Sequence, residues 1–251
     1  MPIKSLRIIF VCLLCAAPLY LYAQSAQLLF DEANRLYTSG KYEQSVEKYR
    51  EIIQNGYESG ALYFNLGNAY YKLEQIGESI LYYEKAIKLI PGDEALQRNL
   101  QIAQLKTVDK IEPIPNLFFE IWWTEAINIF SLNTFSWLSL ITFSCLTLLI
   151  ALFLVFRKDG FRYPVWIFAI CFIVFLLLFL GKIYDNGNNR FGIIMAKTVS
   201  VVSEPAISST EMFILHEGTK VKINRALEGW YEISLADGKT GWLQTEGIVQ
   251  I

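Results

Sequence analysis

The sequence has few of the residues that metal and redox sites use. It contains one histidine, His216, and its four cysteines all lie in strongly apolar runs. Cys12 and Cys15 form a C-x-x-C pair, but a redox pair needs a thiolate at a polar helix end, and these two lie among Val, Leu and Ala. His216 has no cysteine or second histidine nearby, and we interpret it as a loop residue.

The net charge is also small, because 22 Lys and Arg residues and 24 Asp and Glu residues give a total of -2. The chain therefore lacks the excess of positive charge that would attract a nucleic acid. No nucleophile paired with a base, phosphate-binding glycine loop or metal-ligand cluster is visible either. We therefore expect a protein that is not an enzyme and uses no cofactor, metal or nucleic acid.

Apolar residues, by contrast, make up 53% of the chain and charged ones only 18%, so part of it is expected to lie in lipid. The first apolar segment, residues 1–23, has the basic start, apolar centre and small final residues of an export signal peptide. Residues 136–156 and 163–184 each have about the twenty residues needed to cross a bilayer. We predict a two-helix transmembrane hairpin; the alternative is a pair of buried core helices.

The loop between these two segments sets the orientation. Three of the six residues in 157–162 are basic, which favours a cytoplasmic loop. A signal peptide sends the following segment outward, so both soluble parts are expected on the periplasmic side of the inner membrane. Lys182 is expected to snorkel, and interfacial belts are expected from six aromatic residues: Trp122, Trp123, Trp137, Tyr163, Trp166 and Tyr184.

Residues 24–110 have helical periodicity and repeat at an offset of 34 residues. Ala33, Gly40, Tyr42, Ser45 and Tyr49 fall opposite Gly67, Glu74, Ile76, Ser79 and Tyr83. The stretch LYFNLGNAYYKLEQIGESILYYEKAIKLIPGD resembles the tetratricopeptide repeat, a module that binds other proteins. Small residues at Ala33 and Gly67 are expected to meet Ser45 and Ser79, because paired helices approach closely only at small side chains.

A third helix, from about Glu94 to Lys106, is expected to cap the second repeat. Two repeats and a cap fall short of the three or more units that usually bury a continuous core. The stability of this unit is therefore expected to depend on the cap or on a partner.

The resemblance implies a concave groove for an extended peptide. Its candidate residues are Phe30, Asn34, Asn65, Asn68, Lys72 and Asn99. Asparagine amides both donate and accept hydrogen bonds, as a peptide backbone does. The family's clamp for a C-terminal carboxylate also needs a Lys and an Arg, where this chain has Phe30, Ala95 and Asn99. The alternative is that the asparagines only cover a solvated helix face.

Residues 111–135 are interpreted as a linker with an interfacial helix. Their apolar and aromatic residues are interrupted by Glu120 and Glu125, so the segment cannot span a membrane but can lie along its surface. A partner-binding helix is the alternative.

Residues 190–251 change to β-branched residues with glycine turns. Short strands are predicted at Val199 to Val202, Thr219 to Ile223, Trp230 to Leu235 and Gly241 to Leu243. Asp237-Gly238 predicts a hairpin turn, and period-two alternation leaves Trp230 on the face away from the core. The segment resembles bacterial SH3 domains through Gly218, Val221, Trp230, Gly238, Gly241 and Trp242. Trp230 and Trp242 are candidates for binding peptide or wall material; the alternative for Trp230 is packing at the rim.

The fold class predicted is a multi-domain membrane protein with all-α tetratricopeptide hairpins, a transmembrane hairpin and a C-terminal all-β SH3-like barrel. This order of modules, with the link TVDKIEPIPNLFFEIWW, resembles the BatE family of the Bacteroides aerotolerance operon. The resemblance implies a membrane-anchored envelope scaffold that acts beside von Willebrand A domain proteins, a second tetratricopeptide protein and a MoxR-type ATPase. A peptidoglycan-binding anchor or sensor that acts through the SH3-like domain is the alternative.

Overall fold

The computed structural model describes residues 25–115, 117–157 and 159–251. The predicted signal peptide 1–23, with Cys12 and Cys15, lies outside the described residues. The helices are α1 (25–38), α2 (Tyr42–Gln54), α3 (Gly60–Lys72), α4 (Ile76–Leu89), α5 (Glu94–Leu105), α6 (Phe118–Asn128), α7 (Leu132–Phe156) and α8 (Arg162–Asn188). The strands are β1 (Arg190–Ile194), β2 (Thr198–Val202), β3 (Glu211–His216), β4 (Lys220–Leu227), β5 (Trp230–Ser234), β6 (Thr240–Gln244) and β7 (Ile248–Gln250).

Helices α1 to α4 form two hairpins that are held together where the side chains are small. The Ser45 hydroxyl donates to the Ala33 carbonyl, and the Ser79 hydroxyl donates to the Gly67 carbonyl, each at 2.9 Å. A Cβ on Gly67 would lie 2.6 Å from the Tyr83 ring, so only glycine permits this approach. The predicted contacts between small residues are therefore confirmed.

Helix α5 caps the second hairpin, with Leu96, Leu100 and Ala103 buried. The same core cluster also contains Ile193 of β1, which is fully buried, and Met195 packs against it. The C-terminal sheet therefore completes the core that two repeats and a cap leave short. The sequence patterns predict the repeats and the sheet as separate modules, and none of them predicts this shared core.

The C-terminal region is one antiparallel sheet in the order β3-β2-β6-β5-β4-β1-β7. Seven strands form where four are predicted, and the additional strands β1, β3 and β7 lack a clear alternating pattern. Ile233 and Leu235 are buried and Tyr231 packs against the same core, as the alternation predicts. Gly238 has a φ of +85° between β5 and β6, which confirms the Asp-Gly turn.

Polar contacts join this sheet to the repeats along α4. Lys220 forms an ion pair with the buried Glu84 at 2.7 Å. The Glu217 carboxylate accepts a hydrogen bond of 2.8 Å from the backbone N–H of Gly77, in the first turn of α4. A carboxylate is favoured there, since the first turn of a helix leaves N–H groups unpaired and carries partial positive charge.

The segment after α5 is tied to the sheet by Asp109. Its carboxylate accepts hydrogen bonds from the backbone N–H and the Nδ1–H of His216, both at 2.7 Å, and from the Thr219 hydroxyl at 2.6 Å. The expectation that His216 is a loop residue is wrong, because it ends β3 and holds this carboxylate. Burial raises the pKa of Asp109, but these hydrogen bonds lower it by more, so the pKa lies below its ordinary value.

Helices α7 and α8 are long and apolar enough to cross a membrane by length and composition. They lie over the predicted segments 136–156 and 163–184, and they pack against each other as an antiparallel pair. In the most apolar window of α7, 11% of the residues are buried, and in that of α8 none is. The alternative of buried core helices therefore does not describe them. The six predicted belt aromatics are all exposed: Trp122, Trp123, Trp137, Tyr163, Trp166 and Tyr184.

Helix α6 occupies part of the predicted linker 111–135 and lies against the end of α8. Its Ile127 is 1% exposed, and the Trp123 ring packs over Gly181 of α8, where any side chain would clash. Lys182 is buried and donates a hydrogen bond to Asn128. Its ammonium therefore holds the two helices together, and the expectation that Lys182 snorkels is wrong.

A first prediction concerns the turn before α4. Glu74 has a φ of +60°, whereas its counterpart in the first repeat is Gly40, with a φ of +76°. A side chain in this conformation costs about 1–2 kcal/mol, so Glu74→Gly should stabilise the protein by about 1 kcal/mol. As a control, Glu47→Gly within α2 should destabilise it by about 1 kcal/mol. Urea unfolding followed by circular dichroism in detergent checks both, and equal destabilisation by the two variants would contradict the prediction.

A second prediction concerns pH. A lowered folded pKa means that the contribution of Asp109 is complete above the ordinary value of 3.8 and is lost as the pH falls through the folded value. The melting temperature of the unsubstituted chain should therefore fall below about pH 4. The Asp109→Asn variant should have a lower melting temperature than the unsubstituted chain at pH 7. Its melting temperature should also fall less as the pH is lowered. Asp31→Asn, on the exposed face of α1, is the control, and an acid response unchanged in Asp109→Asn would count against this role.

Candidate protein-binding groove

The six candidate groove residues lie on α1, α3 and α5, and their spacing brings the side chains of the four asparagines together. Asn34 lies on α1, Asn65 and Asn68 lie on α3, and Asn99 lies on α5; all four are half-buried. Lys72 lies one turn after Asn68 and is exposed. The first helix of each hairpin and the capping helix therefore supply one continuous row of amides.

Hydrogen bonds link these amides across the repeats. Asn34 Oδ1 accepts from the Tyr49 hydroxyl at 2.6 Å and from Asn65 Nδ2 at 3.0 Å. Asn68 Oδ1 accepts from the Tyr83 hydroxyl at 2.7 Å and from Asn99 Nδ2 at 2.8 Å. The second set repeats the first at an offset of 34 residues. We call these six residues the asparagine-tyrosine ladder: Asn34, Tyr49, Asn65, Asn68, Tyr83 and Asn99.

The ladder uses only part of each amide. Asn34 Nδ2 and Asn68 Nδ2 donate to no residue that the structure describes, and Asn65 Oδ1 and Asn99 Oδ1 accept from none of the described residues. Donors and acceptors therefore alternate from α1 to α5. An extended polypeptide backbone alternates in the same way.

The tyrosines of the ladder are held as hydrogen-bond donors. Both rings are about 1% exposed. Burial raises the pKa of Tyr49, and burial raises the pKa of Tyr83 to about 12. Each phenol therefore keeps its proton at neutral pH and fixes the orientation of the asparagine it contacts. This role is not among the sequence predictions, although the recurrence of Asn and Tyr at the 34-residue offset is a signal that indicates it.

Phe30 lies beside the first end of the ladder, one turn before Asn34. Its ring is tilted against that of Tyr49, with 5.9 Å between the ring centres. It lines a depression of about 340 Å³ between α1, the end of α2 and the start of α3. The structure therefore places Phe30 at an apolar edge of the amide row.

The two tryptophan candidates lie on one face of the sheet. Trp230 pairs with Gln244, and Trp242 pairs with Glu232, so the two rings are diagonal neighbours and both are half-buried. Trp230 lines a groove of about 440 Å³ with residues of β2 and the end of β6. Trp242 does not line that groove. No group of three possible metal ligands occurs in the parts of the chain that the structure describes.

Comparison with known proteins supports the repeat unit alone. The model of the tetratricopeptide repeat family matches residues 30–94. No curated protein matches the chain. Among solved structures, an NlpC/P60 family protein from Bacillus cereus ATCC 10987 is 16% identical, with a TM-score of 0.22, over 27% of this chain and 22% of that one. The chain spans less than a quarter of that protein's length, and a similarity of this size shows no shared fold.

A third prediction concerns the ladder. Asn68→Ala leaves the buried Tyr83 hydroxyl without an acceptor, which should cost about 1–3 kcal/mol of stability. Tyr83→Phe removes the hydroxyl itself, so the double variant should cost at least about 0.5 kcal/mol less than the sum of the two single variants. Tyr83→Phe combined with Asn55→Ala, at the exposed end of α2, should be additive. Denaturant unfolding of the three single variants and the two double variants measures the coupling energy. If the stability losses of Asn68→Ala and Tyr83→Phe simply add in the double variant, the ladder is refuted.

Proposed function

We propose that this protein is a membrane-anchored envelope scaffold without enzymatic activity, whose repeat unit holds an extended segment of a partner protein. The observation that carries the proposal is the row of alternating amide donors and acceptors on α1, α3 and α5. The sheet packs on α4 and on the segment after α5 instead. The amide row is thus left to a partner.

The anchor in this proposal is the α7–α8 hairpin. Its two helices have the length and hydropathy of membrane spans, and Arg157 and Arg162 lie at its tip. Basic residues favour the cytoplasmic side, which supports a periplasmic location for the repeats and the sheet. The exposed aromatic residues of α6 support contact with the outer surface of the same membrane.

The partners in this proposal are Bat-type proteins with von Willebrand A domains or tetratricopeptide repeats, in an aerotolerance or envelope stress complex. Support comes from the order of the modules, which resembles the BatE family. Phe30, Ala95 and Asn99 stand where the family's carboxylate clamp has other residues. An internal extended segment therefore suits this groove better than a free C-terminus.

A second candidate function, peptidoglycan binding by the SH3-like sheet, is favoured by the groove that Trp230 lines. An aromatic ring on a groove wall can stack on peptide or sugar groups. Sedimentation of the solubilised full chain with purified sacculi tests it, with Trp230→Ala as the variant and Trp137→Ala as the control. If neither variant changes the sedimented fraction, this second function is excluded.

A fourth prediction tests the groove with the ladder intact. Replacing Asn34 and Asn68 together by Asp keeps each Oδ1 acceptor but turns the free Nδ2 donors into charged acceptors. Detergent extracts should then lose co-purifying von Willebrand A domain and tetratricopeptide partners by about tenfold or more. The control replaces Gln44 and Gln54 of α2 by Glu. Quantitative mass spectrometry reads the result, and equal partner recovery from both double variants would reject the groove.

A further inference from the structure

A cavity of about 800 Å³ lies where the linker, α6, the end of α8 and the sheet meet. Neither the peptide groove nor the Trp230 groove shares a residue with it. Its aromatic lining comes from Phe119, Trp123 and Phe191, and its charged lining comes from Glu120, Asp185 and Lys222.

Specific contacts hold the walls of this cavity in place. Trp123 is fixed over Gly181, and the buried Lys182 bonds Asn128 beside it, so α6 is held against α8. The linker is held to the sheet by a hydrogen bond of 3.0 Å from the Ile114 N–H to the Ala236 carbonyl. Phe191 and Lys222 are paired across β1 and β4.

The charges in the cavity are arranged as one cation and two carboxylates. Lys222 forms no ion pair with any described residue. Glu120 accepts from the backbone N–H of Leu117 at 3.2 Å, and Asp185 accepts from the Asn189 amide. Each carboxylate has four acceptor positions, so both can accept further hydrogen bonds.

The depth of the cavity points to its ligand. Asp185 directly follows the predicted membrane segment 163–184, so it lies at the boundary where the hydrocarbon core meets the headgroup layer. The headgroup layer on each side of the hydrocarbon core is roughly 5–8 Å thick. The charged lining therefore lies at the level of the lipid headgroups if α8 crosses the membrane.

We propose that this cavity binds the zwitterionic headgroup of an aminophospholipid such as phosphatidylethanolamine. Lys222 holds the phosphate, and Glu120 and Asp185 accept hydrogen bonds from the ammonium. Phe119 and Trp123 pack against the glycerol and the first acyl carbons. The inference rests on the membrane anchoring in the proposed function.

The charges of the cavity also exclude the other common headgroups. A glycerol headgroup brings a phosphate and no cation, so it would leave the Glu120 carboxylate without a cation, whereas Asp185 already lies near the Lys182 ammonium. A choline headgroup brings a cation that cannot donate a hydrogen bond to either carboxylate. Only an amine headgroup supplies a hydrogen-bonding cation together with the phosphate.

Native mass spectrometry of the full chain tests the proposal. The protein is released from mixed micelles that hold equal amounts of the ethanolamine, glycerol and choline phospholipids. We expect retention of one ethanolamine lipid at about tenfold over the other two, as one charged hydrogen bond would supply. Lys222→Gln should lower this retention by about tenfold. Asp185→Asn should lower it too and raise the relative retention of the glycerol lipid.

Lys41→Gln and Glu94→Gln, both exposed residues of the repeat unit that do not line the cavity, are the matched controls and should retain the lipid as the unsubstituted chain does. Equal retention of all three lipids, or an unchanged preference in both cavity variants, would overturn the proposal. Displacement of the lipid by an equal concentration of soluble phosphoethanolamine would overturn the assignment to a lipid.

Flotation with vesicles of the same three lipids separates this inference from the proposed function. If the chain floats with the vesicles but shows no lipid preference, the lipid site is rejected and the proposed membrane-anchored scaffold is retained. If the chain stays at the bottom of the gradient, both the membrane anchor and the lipid site are rejected. Recovery of protein partners is measured independently of either result.

Discussion

Helix α4 is buried from two sides, and the arrangement of the other units depends on that. One side supplies Ile80, Tyr83 and Ala86 to the core of the repeats. Glu84 and the first turn of the helix contact the sheet through Lys220 and Glu217. Burial of a carboxylate is unfavourable unless it is paired, so Glu84 requires the sheet to be docked. The repeat unit and the sheet therefore form one body around this helix.

The docking of the sheet on the repeats also explains how so short a repeat array is stable. Two hairpins and a cap leave the outer side of the last hairpin uncovered, and an isolated array would expose that surface to water. Ile193 and Met195 cover part of it. The ladder then orders the opposite side of the array, since the side-chain oxygens of Asn34 and Asn68 each accept from a tyrosine of the same hairpin and from an asparagine of the next helix. Both sides of the array are thereby fixed before any partner binds.

Much of this fold could be predicted from the sequence, because it follows from local patterns. The 34-residue period predicts the hairpins and the Ser45 and Ser79 contacts; apolar run lengths predict α7 and α8; Asp237-Gly238 predicts the β5–β6 turn. The contacts between modules could not be predicted, since residues such as Asp109 and Thr219 are 110 positions apart and neither has a distinctive neighbourhood. The predictions for Lys182 and His216 are wrong for the same reason, because in each case the hydrogen-bond partner lies in another segment of the chain.

The shared core also has a mechanical consequence. A flexible tether would absorb a pull on the repeats, whereas here α4 packs on β1, and a single residue separates β1 from α8. A pull on the amide row would therefore move α8 together with the repeats.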